Sequence, residues 1–387
     1  MKERPALLTR DFYLLFGAHL LFGLAFWPYV LLPVFLQDLG ADLAQVGIIM
    51  GTASLSGILI RPGIGFAIDG IGRRICLLSG GVIFLLANLS YLWINQVGWG
   101  IYGARLLHGF GMGILTATFF TLAADIAPVS RRTEGIGLFG ISGHLSGAIG
   151  VFLGEQFIRL GGYSLFFKGC AGFAGLSILA SLYIREPRRN LIKTPVGGVL
   201  RAALQRSVRI PLAATLCFAL GLTSYMVFLK PFALSVELGF VTYFFLTYSL
   251  SAITVRLVCG DWPDRFGLKR ILYPSLVLLA VGIISISLRP SPAGLVMSGM
   301  LCGIGHGFIF PILSVLIIGR ARDANRGGLM MSLFTLFFDI GIFIGAPFWG
   351  LIAKWYGYQI MFFTASAIIL ISLVSFLILD KDSRTSS

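Results

Sequence analysis

Twelve apolar runs, each about the 20 residues that an α-helix needs to cross a bilayer, punctuate this chain and leave little room for any other kind of fold. They lie near 12–36, 45–68, 75–95, 98–124, 134–157 and 162–184, then near 209–232, 239–260, 270–288, 293–319, 328–352 and 357–379. Membrane β-strands would alternate apolar and polar residues, whereas stretches such as Leu165 to Leu182 are apolar on every face, so the spans read as helices. Composition agrees: 57% of the 387 residues are hydrophobic and 12% charged, too little polar surface to cover a water-soluble protein of this length. The net charge of +14 raises nucleic-acid binding as a reading, but the basic residues fall in short clusters between spans and not on one amphipathic face. The N-terminal stretch MKERPALLTRDF is basic and leads into a run long enough to span, without a small-residue cleavage site after a short apolar core. It reads as a retained first helix.

The basic clusters set an orientation. One side carries Lys2, Arg4 and Arg10, then Arg73 and Arg74, Arg131 and Arg132, a dense segment from Arg185 to Arg209, then Arg265, Lys269 and Arg270, Arg320, Arg322 and Arg326, and Lys381 and Arg384. The other side has only Arg159, Arg289 and Lys354 beside Asp38, Asp42 and Glu237. Positive charge stays inside, so both termini are expected in the cytoplasm, which requires an even number of spans. The expected organisation is an N-terminal six-helix bundle over 1–184, a cytoplasmic linker over 185–208, and a C-terminal six-helix bundle with a short tail over 209–387. The five cysteines lie singly in apolar stretches with no metal-ligand spacing, and read as packing residues. No metal or cofactor is expected.

The two halves repeat each other. RPGIGFAIDGIGRR follows the second run and RLVCGDWPDRFGLKR the eighth; aligning Arg61 with Arg256 sets Gly65 on Gly260, Asp69 on Asp264, Gly72 on Gly267 and Arg74 on Lys269. GFGMG from Gly109 matches GIGHG from Gly303, and Arg132 matches Arg326, so the duplication runs along the whole chain. In these residues the chain resembles the major facilitator superfamily, whose loop between helices two and three carries a glycine, then an aspartate, then Gly-Arg-Arg/Lys. The first copy offers Gly65, Asp69, Gly72, Arg73 and Arg74, and the second Gly260, Asp264, Arg265, Gly267, Lys269 and Arg270. Gly70 stands where a basic residue is usual. RLLHGFGMG from Arg105 and DIAPVSRR from Asp125 are similar to two further elements of that family. The resemblance implies an all-α membrane protein of twelve helices in two pseudo-symmetric bundles. It also implies a conformational clamp at the signature loops, where an aspartate meets the amide end of a neighbouring helix and a basic side chain.

A charge near the bilayer centre costs roughly 2.5–3.5 kcal/mol, so the few intramembrane polar residues mark a pathway, a proton relay or a buried pair. Arg61, Arg256 and Lys168 have stems long enough to reach the surface, and Glu155 lies near a helix end. Lys230 precedes Pro231 in a helix that the family likeness places at the cavity. Arg105 is permanently charged and lies two turns into helix four. Asp339 is the one deep acidic residue, a carboxyl suited to loading and releasing a proton. His19, His108, His144 and His306 all fall within spans, as titratable groups or as interhelical hydrogen-bonders. The aromatics Phe26, Trp27, Tyr29, Tyr225, Phe228, Phe308 and Phe310 are candidates to stack on an organic substrate. Helix five carries Gly143, Gly147, Gly150 and Gly154 at close-packing spacing, with His144 where exporters of the family commonly have proline; GAPFWG from Gly345 is the symmetry-related element in helix eleven.

These features imply a secondary active transporter working by alternating access, with one site near the midplane, exporting a small organic molecule against protons. An uptake permease for an organic anion, with Arg105 or Lys230 as counter-charge, is the alternative; a non-transporting receptor or assembly factor is a third. No nucleophile constellation, metal cluster or nucleotide loop supports an enzyme, since GFGMG lies inside an apolar span. The expected partners are a small-molecule substrate, protons and the bilayer of a bacterial-type inner membrane, not nucleic acid, with the protein acting as a monomer.

Overall fold

The computed structural model describes residues 6–128, 131–186, 205–288, 290–320 and 327–380, with side chains at all of these but 62, 66, 69, 132–134, 206, 327 and 328. Among them there are helices and no strands. Nine stretches are long and apolar enough to cross a membrane, and two of these, Gly135–Leu182 and Leu329–Leu379, are interrupted by non-helical glycines at 161–162 and at 357. With the shorter apolar helix Thr242–Val258, the described residues carry twelve spans.

They are numbered here in chain order: α1 Arg10–Asp38, α2 Leu43–Ile71, α3 Arg73–Trp93, α4 Trp99–Ile126, α5 132–160, α6 163–182, α7 Arg206–Ser235, α8 Thr242–Val258, α9 Leu268–Leu288, α10 Pro292–Gly319, α11 327–356 and α12 358–379. In α1 a 3₁₀ turn at Trp27–Leu31, opened by Pro28, interrupts the helix. Local signals set several ends. The Thr9 hydroxyl accepts from the Phe12 amide at the start of α1, and the Ser291 hydroxyl accepts from the Gly294 amide at the start of α10.

The repeat is visible in backbone geometry. Gly72 and Gly267, aligned by the signature loops, have φ of +99° and +97° and stand immediately before α3 and α9. Those angles are costly for any residue with a β-carbon, so the glycine of the signature is a conformational requirement in both copies.

The chain divides into two compact units. Unit 1 comprises 1–32 and 56–195. There α1 packs on the α5–α6 hairpin, and α3 packs on α4 and on that hairpin. Its core is largely aromatic, with Phe12, Phe22, Phe84, Phe119 and Phe139 all buried together. Gly169 lies against the Phe157 ring, which fastens α6 to α5. Unit 2 comprises 33–55 and 196–387 and repeats these pairings: α7 on α11–α12, and α9 on α10 and α11–α12. Residues 33–55 belong to it because the first turns of α2 pack directly on α11. A β-carbon at Gly47 would overlap the Ala346 carbonyl, and one at Gly350 the Leu43 carbonyl. Lys354 and Asp42 join across the same contact at 2.9 Å.

The outward faces remain apolar. The most apolar window of Leu329–Leu379 has mean hydropathy 2.6, yet only 33% of it is covered by protein, and Leu377, Ile378 and Leu379 are about 60% exposed. Apolar surface on that scale needs lipid as its solvent. Inside, hydrogen bonds cross between helices, as from the Ser177 hydroxyl to the Ala18 carbonyl and from the Trp349 indole to the Leu220 carbonyl.

Candidate functional site

Each unit has a basic end, and at each an ionic network ties three helices together. In unit 1, Arg73 begins α3 and is buried; its Nε donates to Asp125 Oδ2 at the end of α4, 3.1 Å away, and its Nη1 donates to the Ile68 carbonyl. Glu186, just past α6, accepts from the Arg73 amide at 2.7 Å and from the Arg74 amide at 3.4 Å. A carboxylate on the first amides of a helix is favoured by the dipole and by donors that would otherwise be unsatisfied. Arg74 returns a hydrogen bond to the Leu182 carbonyl. The side chain of Asp69, for which the amide-binding role was expected, lies outside the described residues; Glu186 fills that role at α3.

Unit 2 builds the corresponding network around an acid. Asp380, just past α12, takes both Arg320 nitrogens at 2.7 and 2.8 Å and Lys269 Nζ at 2.9 Å. Burial alone would raise the Asp380 carboxyl, but the Arg320 and Lys269 donors outweigh it and hold the group below its ordinary value. Of the other signature residues, Asp264, Arg265 and Arg270 are exposed. Arg265 pairs with Asp261 one turn away, an exposed contact of small worth. Gly65 faces open space, and Gly260 lies against the Arg256 carbonyl.

Deeper in unit 1 is a set of buried polar groups in an aromatic shell. His19 Nδ1 lies 2.7 Å from Ser142 Oγ, joining α1 to α5, with Phe119, Phe120, Phe139 and Phe22 around the ring. Ser142 spends its one proton on the Phe139 carbonyl, 2.6 Å away, so the imidazole must be the donor, protonated at Nδ1. His108 lies within 4.2 Å of the Tyr29 ring and 4.7 Å of Phe84, and neither of its ring nitrogens has a hydrogen-bond partner among the described residues. Tyr29 donates to Asn88 at 2.9 Å. Arg105, one turn before His108, is buried and interacts electrostatically with Tyr29, Tyr91 and His108. Glu155 and His144 of α5 are buried as well.

In unit 2, His306 of α10 meets the Tyr248 hydroxyl of α8 at 2.5 Å. Asp339 is buried in α11. Lys230 turns away from the bundle interior, with Nζ on the Gly239 carbonyl at 2.6 Å and 5.8 Å over the Phe240 ring, in the α7–α8 connection. The candidate aromatics divide by exposure. Tyr225 and Phe228 are wholly enclosed in helix packing, Tyr29 and Phe308 nearly so, while Phe26, Trp27 and Phe310 are half-buried.

Sequence reasoning singled out the histidines and Arg105 but not their partners Ser142, Tyr248 and Tyr91, ordinary residues in apolar helices. It also passed over Glu186 and Asp380. Their signal was positional: each is an acid closing the sixth helix of its half.

Charged and polar side chains this few, gathered inside helices whose outer faces are apolar, place the chain among polytopic membrane proteins built from a repeated bundle. The chain belongs to the Major Facilitator Superfamily, whose family model matches residues 14–247 and again 212–387. It is 23% identical over 366 residues to the uncharacterized MFS-type transporter MJ1560 of Methanocaldococcus jannaschii, covering 91% of this chain and 93% of that one. Over 205 residues, half of each chain, it is 25% identical to the quinolone resistance protein NorA of Staphylococcus aureus. Among solved structures, a variant of the nucleoside transporter NupG shares its fold, with TM-score 0.80 and 14% identity over 96% of this chain and 100% of that one.

Proposed function

We propose that this chain is a secondary active transporter that works by alternating access and exports a small organic molecule in exchange for protons, from a bacterial-type inner membrane with both termini in the cytoplasm. The observation that carries the coupling reading is the placement of Asp339 and His19 inside apolar helices, where a change of charge must be met by a change of surroundings. Protonating His19 on its second nitrogen would set a cation within the aromatic shell between α1 and α5 and favour a conformation in which that shell opens. A proton can drive a transition only by binding two states unequally, and this geometry supplies an inequality. Likeness to NorA over half of each chain supports export.

The test is transport by the full chain in proteoliposomes with an imposed pH gradient, using a panel of quinolones, nucleosides and aromatic acids. Efflux of at least one compound is expected to accelerate when protons run the opposite way, and Asp339→Asn is expected to abolish that acceleration while leaving exchange without a gradient intact. Rates indifferent to the gradient in either direction would remove proton coupling; acceleration only for solute moving with protons would replace export by uptake.

A further inference from the structure

The end of unit 1 away from its ionic network is built on a different principle. α3 runs 21 residues from the buried Arg73 to Trp93, a rise of about 31 Å against a hydrocarbon core of about 30 Å. Its last turn therefore stands at the level of lipid headgroups. Trp93 is 75% exposed there, and Trp99, which opens α4, is 91% exposed. Between them Ile94, Asn95, Gln96, Val97 and Gly98 carry no charge. Bare indoles on a turn are a liability in water, but in the interfacial layer each ring keeps apolar contact while its N–H donates to lipid oxygen. Lower on the same helices Val82, Leu86 and Leu107 are exposed, so the indoles top a face that already needs lipid.

Two cations share this surface. Tyr91, in the last turn of α3, stacks on Phe167 of α6 at 5.1 Å, and Lys168, the next residue, is exposed. Lys168 lies about 8 Å along α6 from its start at 163. Helical side chains lean toward the N-terminus, which for α6 is this same end, so the ammonium is carried toward the headgroups. Arg159, at the end of α5, is exposed as well. Glu155 is buried, and no acid is exposed at this end of unit 1 among the described residues. The corresponding turn of unit 2 reads SLRPSPAG from Ser287, without an aromatic residue, so the surface belongs to the first half and not to the repeat.

We propose that Trp93, Trp99, Arg159 and Lys168 form a binding surface for an anionic phospholipid, the cations taking its phosphate and the indoles its glycerol-ester region. The continuous apolar flank below them fits acyl chains. The surface requires only that these helices cross a bilayer, and stands or falls independently of transport.

The test uses the purified full chain. In nanodiscs, phosphatidylcholine brominated near the glycerol end of an acyl chain should quench tryptophan fluorescence more than lipid brominated near the methyl end. The part of the signal lost in a Trp93→Phe, Trp99→Phe double variant is expected to be the part with that preference. In detergent, phosphatidylglycerol should raise the melting temperature more than phosphatidylcholine does. Arg159→Gln with Lys168→Gln should cut that excess by at least half and leave the lipid-free melting temperature unchanged, and Lys168→Arg should retain it. A quenching profile unaltered by loss of both indoles overturns the proposal, as does an excess unaltered by loss of both cations. Inorganic phosphate stabilising as strongly as phosphatidylglycerol would make this a site for the free ion and overturn lipid as the partner. A change of oligomeric state in the double tryptophan variant, with bromolipid quenching unchanged, would make the surface a contact between copies. A fall in lipid-free melting temperature on loss of the cations would make them structural braces and overturn their role here.

Discussion

Asp380 shows how much one side chain can organise in a chain this poor in charge. It accepts from Arg320 on both oxygens, holds Lys269, and has its carboxyl kept below the ordinary aspartate range. A carboxyl whose folded value is depressed stabilises the fold above its unfolded value, and that contribution is lost as pH falls through the folded one. Asp380→Asn should therefore lower stability by roughly 3 kcal/mol at neutral pH, since it strands a largely buried Arg320. Melting temperatures of the two proteins in detergent should converge as pH drops below the ordinary aspartate value; a gap that stays constant with pH would show that the loss came from something other than charge. The sequence placed Arg73, Lys269 and Arg105 among the residues to watch, because basic residues at signature loops or inside spans stand out. It left Asp380, Glu186 and Ser142 unmarked, since an acid after a helix or a serine within one acquires meaning only when a second helix arrives beside it.

Helix pairs in this molecule meet through glycine, as α8 and α10 do over successive turns. Gly303→Ala should push these helices apart, stretch the Tyr248–His306 bond and cost about 1–3 kcal/mol, the range for forcing extra atoms into a packed interior. Gly319→Ala, at the end of the same helix with nothing within 4 Å, should be neutral or mildly stabilising. Thermal unfolding of the two variants side by side checks this, and similar losses in both would mean that helix propensity, not close approach, governs the pair. The glycine runs of α4 and α10 were legible as copies of one another, because repetition is a property of sequence. Which glycine touches which neighbour was not, since spacing gives a face and not its partner. The twelve spans themselves were legible, with ends a few residues off, because bilayer thickness fixes their length. The 3₁₀ turn in α1 was not, as Pro28 at its start reads equally well as an ordinary kink.

At the scale of the molecule, duplication was the most readable feature, and Gly72 and Gly267 confirm it with nearly the same left-handed backbone. The proposed cytoplasmic placement of both termini rests on the even number of spans and on the basic loops. A fluorescent protein fused after Ser387 should glow, and alkaline phosphatase fused there should be inactive; active phosphatase would overturn the orientation. The repeat nevertheless has one inverted corner, with Asp125 ending α4 of unit 1 and Arg320 following α10 of unit 2. Among the described residues, the anionic role in unit 1 is therefore shared between Asp125 and Glu186, whereas in unit 2 it falls to Asp380. A single proton taken up by Asp380 would loosen all its bonds at once, while no single protonation can undo its counterpart. Two copies of one ancestral bundle have thereby come to differ in how their basic ends answer to acid.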